Sequence, residues 1–223
     1  AIYTVIAITD KSKGARGASA FIVEKDTPGF SFGKKENKMG IRASSTRELI
    51  FENCRIPKEN IIGKPGMGFI VAMKTLDSSR TGVGAQGVGV AQGAFEAAAA
   101  YALERQQFGQ PIFSIQAVQH ILADMATQIE AARALVYAVA KFIDTKYKDV
   151  SKESAMAKLF ATDVAMKVTV DAVQVMGGAG YMREYPVEKM MRDAKILQIY
   201  EGTNQIQRNV IGQALIKETA KKK

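Results

Sequence analysis

The sequence has too few metal-binding and thiol side chains to support a disulfide or zinc framework. Among its 223 residues Cys54 is the only cysteine and His120 the only histidine. A single cysteine excludes an internal disulfide framework, and the pair falls short of the ligand set of a Cys/His zinc site. We therefore expect both residues to have packing or surface roles.

The chain also lacks a long apolar run, and its first residues are not typical of a signal peptide. Hydrophobic residues make up 47% of the sequence, yet no uninterrupted run approaches the roughly eighteen residues that a membrane-spanning helix needs. Residues 1–8 contain neither a basic segment nor an initiator methionine, which favours a strand of a longer protein over a signal peptide. We expect a soluble globular protein without a membrane span.

Negative charge is the scarcer sign. The chain has 31 Lys and Arg residues against 22 Asp and Glu residues, a net charge of +9. Part of this excess lies in the tail Lys217–Lys223, where a lysine run is usually solvated. The remainder favours an anionic partner, either nucleic acid or a phosphorylated small molecule. Since no nucleic-acid motif occurs and aromatics do not alternate with basic residues, a small anionic ligand is the preferred interpretation.

Residues 1–62 predict strands. The candidates, which are rich in β-branched and apolar residues and separated by turn-forming clusters, are Ile2–Thr9, Ala18–Val23, Phe30–Phe32 and Glu48–Phe51. Arg55–Pro57 is expected to end the sheet region. So few strands leave open edges, and we expect β structure from outside this chain to complete the sheet.

Residues 63–223 predict helices, after a boundary at Lys64–Gly68. The first helix, over 69–102, contains glycines at 82, 84, 87, 89 and 93. Each glycine inside a helix costs about 0.8–1 kcal/mol relative to alanine, so close helix packing is expected, with a bend or a ligand along the backbone as open alternatives. Apolar residues then recur at intervals of three and four from Ile115 to Ile143, which predicts an amphipathic second helix.

A third helix is predicted to begin with Ser151 as its N-cap and to end at Gly177. Its apolar residues lie on more than one face, which is typical of a bundle interior or a subunit interface. A final helix is expected after Thr203. The fold class is therefore mainly α: a C-terminal four-helix-type bundle, residues 63–223, preceded by part of a β-sheet or β-barrel domain, residues 1–62.

The segment Tyr200–Gln207 contains the strongest candidate for chemistry. Thr203 suits a helix N-cap, and Gly202 would let a flat ligand approach the backbone closely. Glu201 then lies in a loop just before a helix N-terminus. That position suits a general base, and it also suits a carboxylate that caps the helix. From this segment alone, capping is the favoured role.

Three other motifs have simple structural explanations when each is taken alone. Asp77 and Arg80 would form an i,i+3 surface pair. Arg105 would be a cation at a helix C-terminus, and Gly177–Gly178 would be a helix C-cap.

In combination and in chain order, these motifs resemble the acyl-CoA dehydrogenase family, in particular its short-chain, butyryl-type members. The segments that carry the resemblance are Gly29–Phe30, Lys38–Ser44, Phe51–Pro57, Gly66–Phe69, Asp77–Arg80, Arg105–Gly109, Gln116, Gln174–Gly178 and Ile199–Gln207. They cover nearly the whole chain up to the lysine tail, without the family's N-terminal helical domain and the first part of its β domain.

The resemblance implies a site for FAD and an acyl-CoA thioester. Glu201 would be the base that removes the α-proton while FAD accepts the β-hydride, which yields a trans-2-enoyl-CoA. The implied substrate residues are Asp77, Arg80 and Gly202. The residues implied to hold the FAD of a neighbouring subunit are Arg105, Phe108, Gln116, Gln174, Gly177 and Gly178. Those implied to contact FAD near the pyrophosphate are Thr203, Asn204 and Gln205.

The resemblance also implies partners and a subtype. Isovaleryl- and long-chain-type members carry their base at the position of Ser79, so the serine here favours the short- and medium-chain arrangement. Shared FAD sites imply a homo-oligomer, with a dimer of dimers expected, and electron transfer flavoprotein is the implied electron acceptor. The implied compartment is the bacterial cytoplasm or the mitochondrial matrix, with the cytoplasm favoured. An oxidase-like enzyme with another acceptor and a non-catalytic oligomerisation fragment are the alternatives.

Overall fold

Two small antiparallel sheets dominate the first of two units in the structure, a computed structural model that describes residues 1–145 and 149–221. This unit comprises residues 1–38 and 42–76, and the second comprises 39–41 and the described residues from 77 onward. The strands of the first unit are β1 (Ile2–Ile8), β2 (Ala18–Glu24), β3 (Phe30–Lys35), β4 (Arg47–Phe51) and β5 (Ile61–Ile62). They form one sheet in the order β1-β2-β5 and another that pairs β3 with β4.

Aromatic side chains connect the two sheets of the first unit. The Phe30 ring stacks on Phe51 with centroids 4.8 Å apart and meets Tyr3 edge to face at 5.1 Å. Such pairs stabilise a core beyond the area that they bury. The opposite face of β1 is different, because Ile2, Ile6 and Ile8 are exposed.

The predicted end of the sheet region at Arg55–Pro57 is wrong. β5 lies beyond Pro57 and pairs antiparallel with β2, with Ile61 opposite Phe21 and Ile62 opposite Ala20. Two residues are too short for a periodic pattern, so only the pairing with β2 identifies this strand.

Five α-helices follow among the residues that the structure describes. They are α1 (Gly68–Glu104), α2 (Gln116–Asp144), α3 (Ser151–Met176), α4 (Val187–Leu197) and α5 (Asn204–Ala220), with a short hairpin of β6 (Gln106–Gln107) and β7 (Gln110–Pro111) between α1 and α2. The mainly α fold class is confirmed. In the described part of the chain, none of these helices combines the length and apolar character needed to cross a membrane.

The core of the second unit centres on α3, which is buried on several faces as its sequence predicts. Alanines of α1 and larger apolar residues of α2 complete this core, among them Met125 and Ile129. Close packing explains two of the α1 glycines. A Cβ on Gly84 would lie 3.1 Å from a Val136 methyl carbon, and one on Gly87 would lie 2.9 Å from the Ala161 carbonyl oxygen.

Two features of this unit differ from the sequence-based expectation. Ser151 is the first residue of α3 and not its N-cap, a position held by Val150 without a side-chain hydrogen bond. The Ser151 hydroxyl instead donates to Asp77, 2.8 Å away. The short helix α4 was not predicted, and it carries Asp193, which accepts a hydrogen bond from the Ile41 amide at 2.6 Å.

Candidate active site

The loop before α5 holds Glu201 in an unusual backbone conformation. Glu201 and Gly202 both have positive φ angles, 57° and 90°. Glycine adopts such angles freely, whereas a glutamate does so only when its surroundings enforce it. Thr203 is the N-cap of α5, since its hydroxyl accepts from the Ile206 amide at 3.3 Å. The capping role proposed for Glu201 is therefore wrong.

Two buried side chains fix the carbonyl groups of this loop. The Gln207 amide nitrogen donates to the Glu201 carbonyl at 3.2 Å and to the Gly202 carbonyl at 2.9 Å. The Lys158 ammonium donates to the same Gly202 carbonyl at 2.8 Å. Lys158 and Gln207 are both fully buried. These contacts hold the backbone that carries the Glu201 side chain.

The Glu201 carboxylate is half-buried and accepts a hydrogen bond from the Ser79 hydroxyl on α1. Next to it, the Tyr200 hydroxyl donates to the side-chain oxygen of Gln86. Burial raises the pKa of Tyr200, with the Glu201 charge acting in the same direction and the Gln86 hydrogen bond opposing it. The phenol therefore stays neutral beside the carboxylate near neutral pH.

Asn204, the first residue of α5, is buried and fully used by its neighbours on α3. Its amide oxygen accepts from Lys158 at 2.8 Å and its amide nitrogen donates to Asp163 at 2.7 Å. Asp163 also accepts from Gln198 at 2.7 Å and from Arg208 at 3.1 Å. Sequence reasoning missed Lys158, Asp163 and Gln207. A lysine inside a helix with several apolar faces was the available signal for the first of them.

Asp77 and Arg80 form the expected i,i+3 pair, at 2.9 Å, but it is not a surface pair. Arg80 is only 4% exposed, and its Nε atom has no hydrogen-bond partner among residues 1–145 and 149–221. Asp77 lines a cavity of about 700 Å³ bordered by the N-terminus of α3 and by α5, with Lys152 and Lys217 on its wall. The same wall carries the carboxylates of Asp77, Asp149, Glu153 and Glu218, and Lys152 is paired with two of them, so the charge of this cavity does not by itself favour an anionic ligand.

A second cavity, of about 430 Å³, brings Arg105, Gly177 and Gly178 together, with Tyr101 and Ala179. The space around both glycines is open, since a Cβ on either would meet nothing within 4 Å. The C-terminal end of α3 attracts cations, so positive charge for an anion has to come from Arg105. Within the described residues the Arg105 side chain makes no ion pair or hydrogen bond.

Comparison with known proteins identifies the family. The model of the acyl-CoA dehydrogenase C-terminal domain matches residues 66–216, and that of the acyl-CoA dehydrogenase middle domain matches residues 1–54. The chain belongs to the acyl-CoA dehydrogenase family. Members of this family are FAD-dependent flavoproteins.

Relatives and solved structures agree with this assignment. A probable acyl-CoA dehydrogenase of Mycobacterium tuberculosis is 58% identical over 96% of this chain and 55% of its own length. The butyryl-CoA dehydrogenase structure from Megasphaera elsdenii is 53% identical with a TM-score of 0.94, covering 96% of this chain and 56% of that one. A solved chain from work on the electron transferring flavoprotein of Acidaminococcus fermentans is 58% identical with a TM-score of 0.94, and the match covers 96% of this chain and 56% of that one. This chain thus spans about half the length of these relatives.

The predicted FAD residues of this acyl-CoA dehydrogenase chain fall into two groups. Arg105, Gly177 and Gly178 share one cavity. Gln116, Gln174 and Gln205 are exposed, and Phe108 is exposed to 90% with a left-handed backbone. Thr203 and Asn204 belong to neither group, because Thr203 is half-buried as the N-cap of α5 and the Asn204 side chain is buried in hydrogen bonds to α3. An unpaired arginine beside open glycines fits the pyrophosphate and adenosine parts of FAD. In residues 1–145 and 149–221 no group of His, Cys, Asp and Glu could hold a metal ion.

Proposed function

We propose that this chain supplies the catalytic base and part of the FAD and acyl-CoA sites of a short-chain acyl-CoA dehydrogenase. The enzyme would convert butyryl-CoA or a similar thioester to the trans-2-enoyl-CoA. The observation that carries the proposal is the state of Glu201. Its backbone is held in a left-handed conformation and its carboxylate, freed from capping, accepts one hydrogen bond from Ser79.

The proposed reaction begins with proton transfer to the base in this loop. The Glu201 carboxylate takes the α-proton of the thioester, the β C–H bond breaks with its electron pair, and a double bond forms between the two carbons. FAD supplies the acceptor for the β-hydride when it is bound. The Ser79 hydroxyl donates to the Glu201 carboxylate, and this hydrogen bond has to lengthen as the carboxylate takes the proton.

The Glu201 amide is a candidate donor to the thioester carbonyl. Among the hydrogen bonds of the described residues, none uses this N–H group. A donor fixed by its own backbone stabilises the negative charge that grows on the carbonyl oxygen as the α-proton leaves, and it costs no reorganisation during the reaction. The hydrogen bonds to the Glu201 and Gly202 carbonyls hold the backbone around this amide in place.

Complete sites need more than this chain. The exposed isoleucine face of β1 and the exposed Phe108 side chain are surfaces that further β structure and a second subunit would cover. We propose assembly with an N-terminal portion of the enzyme and with other copies of this chain. Electron transfer flavoprotein is the proposed acceptor, supported by the similarity to a chain studied with the Acidaminococcus fermentans flavoprotein.

A second candidate is an oxidase-like enzyme with another acceptor. It is favoured by the structure of the prolyl acyl carrier protein oxidase AnaB, which is 33% identical with a TM-score of 0.90 and covers 96% of this chain and 56% of its own. Reoxidation of the reduced flavin in air, with and without electron transfer flavoprotein, distinguishes the two enzymes.

The test uses the flavin-loaded assembly of this chain with the N-terminal portion. We expect butyryl-CoA to bleach its visible flavin absorbance. Glu201→Gln should keep the flavin and slow bleaching by at least about 100-fold, because a positioned general base contributes about 10²–10⁴-fold. Stopped-flow absorbance measures the rate.

Glu59→Gln is the matched control, an exposed glutamate of the first unit that should bleach at the wild-type rate. Full-rate bleaching in Glu201→Gln would refute the assigned base. An assembly that never binds flavin would instead support a non-catalytic scaffold.

A further inference from the structure

We propose that Lys158 is a positioning residue for this reaction: from α3 its ammonium holds the Gly202 carbonyl and the Asn204 side chain, and thereby fixes the direction of the Glu201 carboxylate. The inference rests on the function proposed above. Lys158 does not touch the reacting atoms in this arrangement. It acts through the backbone that carries the base.

The burial of Lys158 is the first argument. The residue is 0% exposed, although lysine is almost never fully buried unless its charge is paired. Both of its hydrogen bonds, at 2.8 Å, go to residues at the entrance to α5, on the loop of the base. A lysine retained only for packing would be replaceable by an apolar residue without this desolvation cost.

The backbone of the loop before α5 depends on hydrogen bonds from other elements. The positive φ of Glu201 needs external contacts to hold it. Gln207 holds the Glu201 carbonyl, and Lys158 and Gln207 are the two donors to the next carbonyl, that of Gly202. Lys158 also anchors the first turn of α5 through Asn204, which Asp163 holds from its other side. The two hydrogen bonds of Lys158 therefore hold both Gly202, the last residue with positive φ, and Asn204, the first residue of α5.

The surroundings of Lys158 destabilise its positive charge, and two nearby carboxylates offset part of this effect. Burial lowers the pKa of Lys158 to about 8; the Asp163 and Glu201 carboxylates oppose this shift, while Arg80 adds to it. The ammonium thus lies within the field of the base. A neutral amine would keep two N–H donors for the same acceptors, so these two hydrogen bonds do not require the charge.

The experiment compares Lys158→Met with wild type and with Lys167→Met in the flavin-loaded assembly. Lys167 lies on the same helix, exposed and paired with Asp171, so its variant should behave as wild type. Lys158→Met should retain flavin but reduce it with butyryl-CoA about 10–100-fold more slowly, since a misplacement of about 1 Å can cost about 10²-fold. The substrate dissociation constant should change by less than about threefold, because ground-state contacts are retained.

Amide hydrogen exchange gives a readout independent of activity. In Lys158→Met we expect faster exchange in the peptide that covers Tyr200–Asn204 and unchanged exchange in α2. A purely structural role would speed exchange throughout the second unit and lower flavin content together with the rate.

Lys158→Gln covers the case in which the methionine variant fails to fold. It keeps a shorter donor and should give a rate between those of wild type and Lys158→Met. Wild-type reduction rates or wild-type loop exchange in the folded variants overturn the positioning role, while Glu201→Gln still reports on the proposed function. If butyryl-CoA does not reduce the wild-type flavin, the proposed function fails and loop exchange alone decides whether Lys158 holds this loop.

Discussion

The Glu201 loop and the Arg105 cavity differ in how their polar groups are satisfied. In the loop, the buried side chains of Lys158 on α3 and Gln207 on α5 donate hydrogen bonds to the carbonyls of Glu201 and Gly202. At the cavity, Arg105 has no partner in the described part of the chain, and Gly177 and Gly178 face open space. One region is organised by its own chain, and the other presents groups for another molecule to pair.

This difference agrees with the proposed roles, which are catalysis for the loop and FAD binding for the cavity. A base has to be positioned before the substrate arrives, because reorganisation during the reaction would add to the barrier. A binding group can remain solvated until its ligand displaces the water. The structure therefore predicts that changes in the loop affect rate and stability, whereas changes at the cavity affect FAD affinity alone.

The largest effect is expected for Arg105→Met. Hydrogen bonds to charged groups contribute about 1.5–3 kcal/mol, so the FAD dissociation constant of the assembly should rise about 10–100-fold. Thermal stability of the FAD-free protein should not change. Flavin fluorescence titration measures the affinity, and Arg183→Met, an exposed arginine without a hydrogen-bond partner in the described residues, is the control. Unchanged affinity in Arg105→Met would remove the cavity from the FAD site.

A matched pair of glycine substitutions gives the next effect. A Cβ on Gly202 would lie 2.8 Å from the Gln207 amide nitrogen, at a φ of 90°. Gly202→Ala should therefore destabilise the protein by about 1–3 kcal/mol through backbone strain. Gly178 has a helical backbone and open space around its Cβ position, so Gly178→Ala should stay within about 0.5 kcal/mol. Denaturant unfolding of both variants checks the contrast, which fails if they are equally stable.

A third effect concerns the pH dependence of stability. The pKa of Lys158 is about 8 in the folded protein against 10.5 for an unperturbed lysine. Below pH 8 both states hold the proton and the full cost of burying the cation is present. Between pH 8 and 10.5 the unfolded state binds more protons, so this residue makes the free energy of unfolding rise with pH.

Lys158→Met lacks this contribution. From pH 7.5 to pH 10, the free energy of unfolding of wild type should therefore increase relative to that of Lys158→Met. Lys167→Met, which changes an exposed lysine of the same helix, is the matched control. Parallel pH curves for wild type and Lys158→Met would show that the buried ammonium keeps its ordinary pKa.

Local chemistry in the sequence was enough for the fold class and for several element boundaries. Periodic apolar residues predicted α2, the glycine at 177 marked the end of α3, and Thr203 marked the start of α5, all of which the structure confirms. The ordered set of motifs predicted the family, which the matching domain models confirm. The roles assigned to the individual site residues stay predictions.

What the sequence alone determined was everything that depends on neighbours along the chain: helix periodicity, turn residues and the N-cap at Thr203. Only the tertiary structure decided what depends on residues far apart, namely the burial of Arg80, the hydrogen bond from Ser79 to Glu201 and the contacts of Lys158 and Gln207 with the loop. The physical reason is that a polar side chain reveals its role through its partners. For Lys158 the partner at Gly202 is 44 residues away in sequence and 2.8 Å away in space.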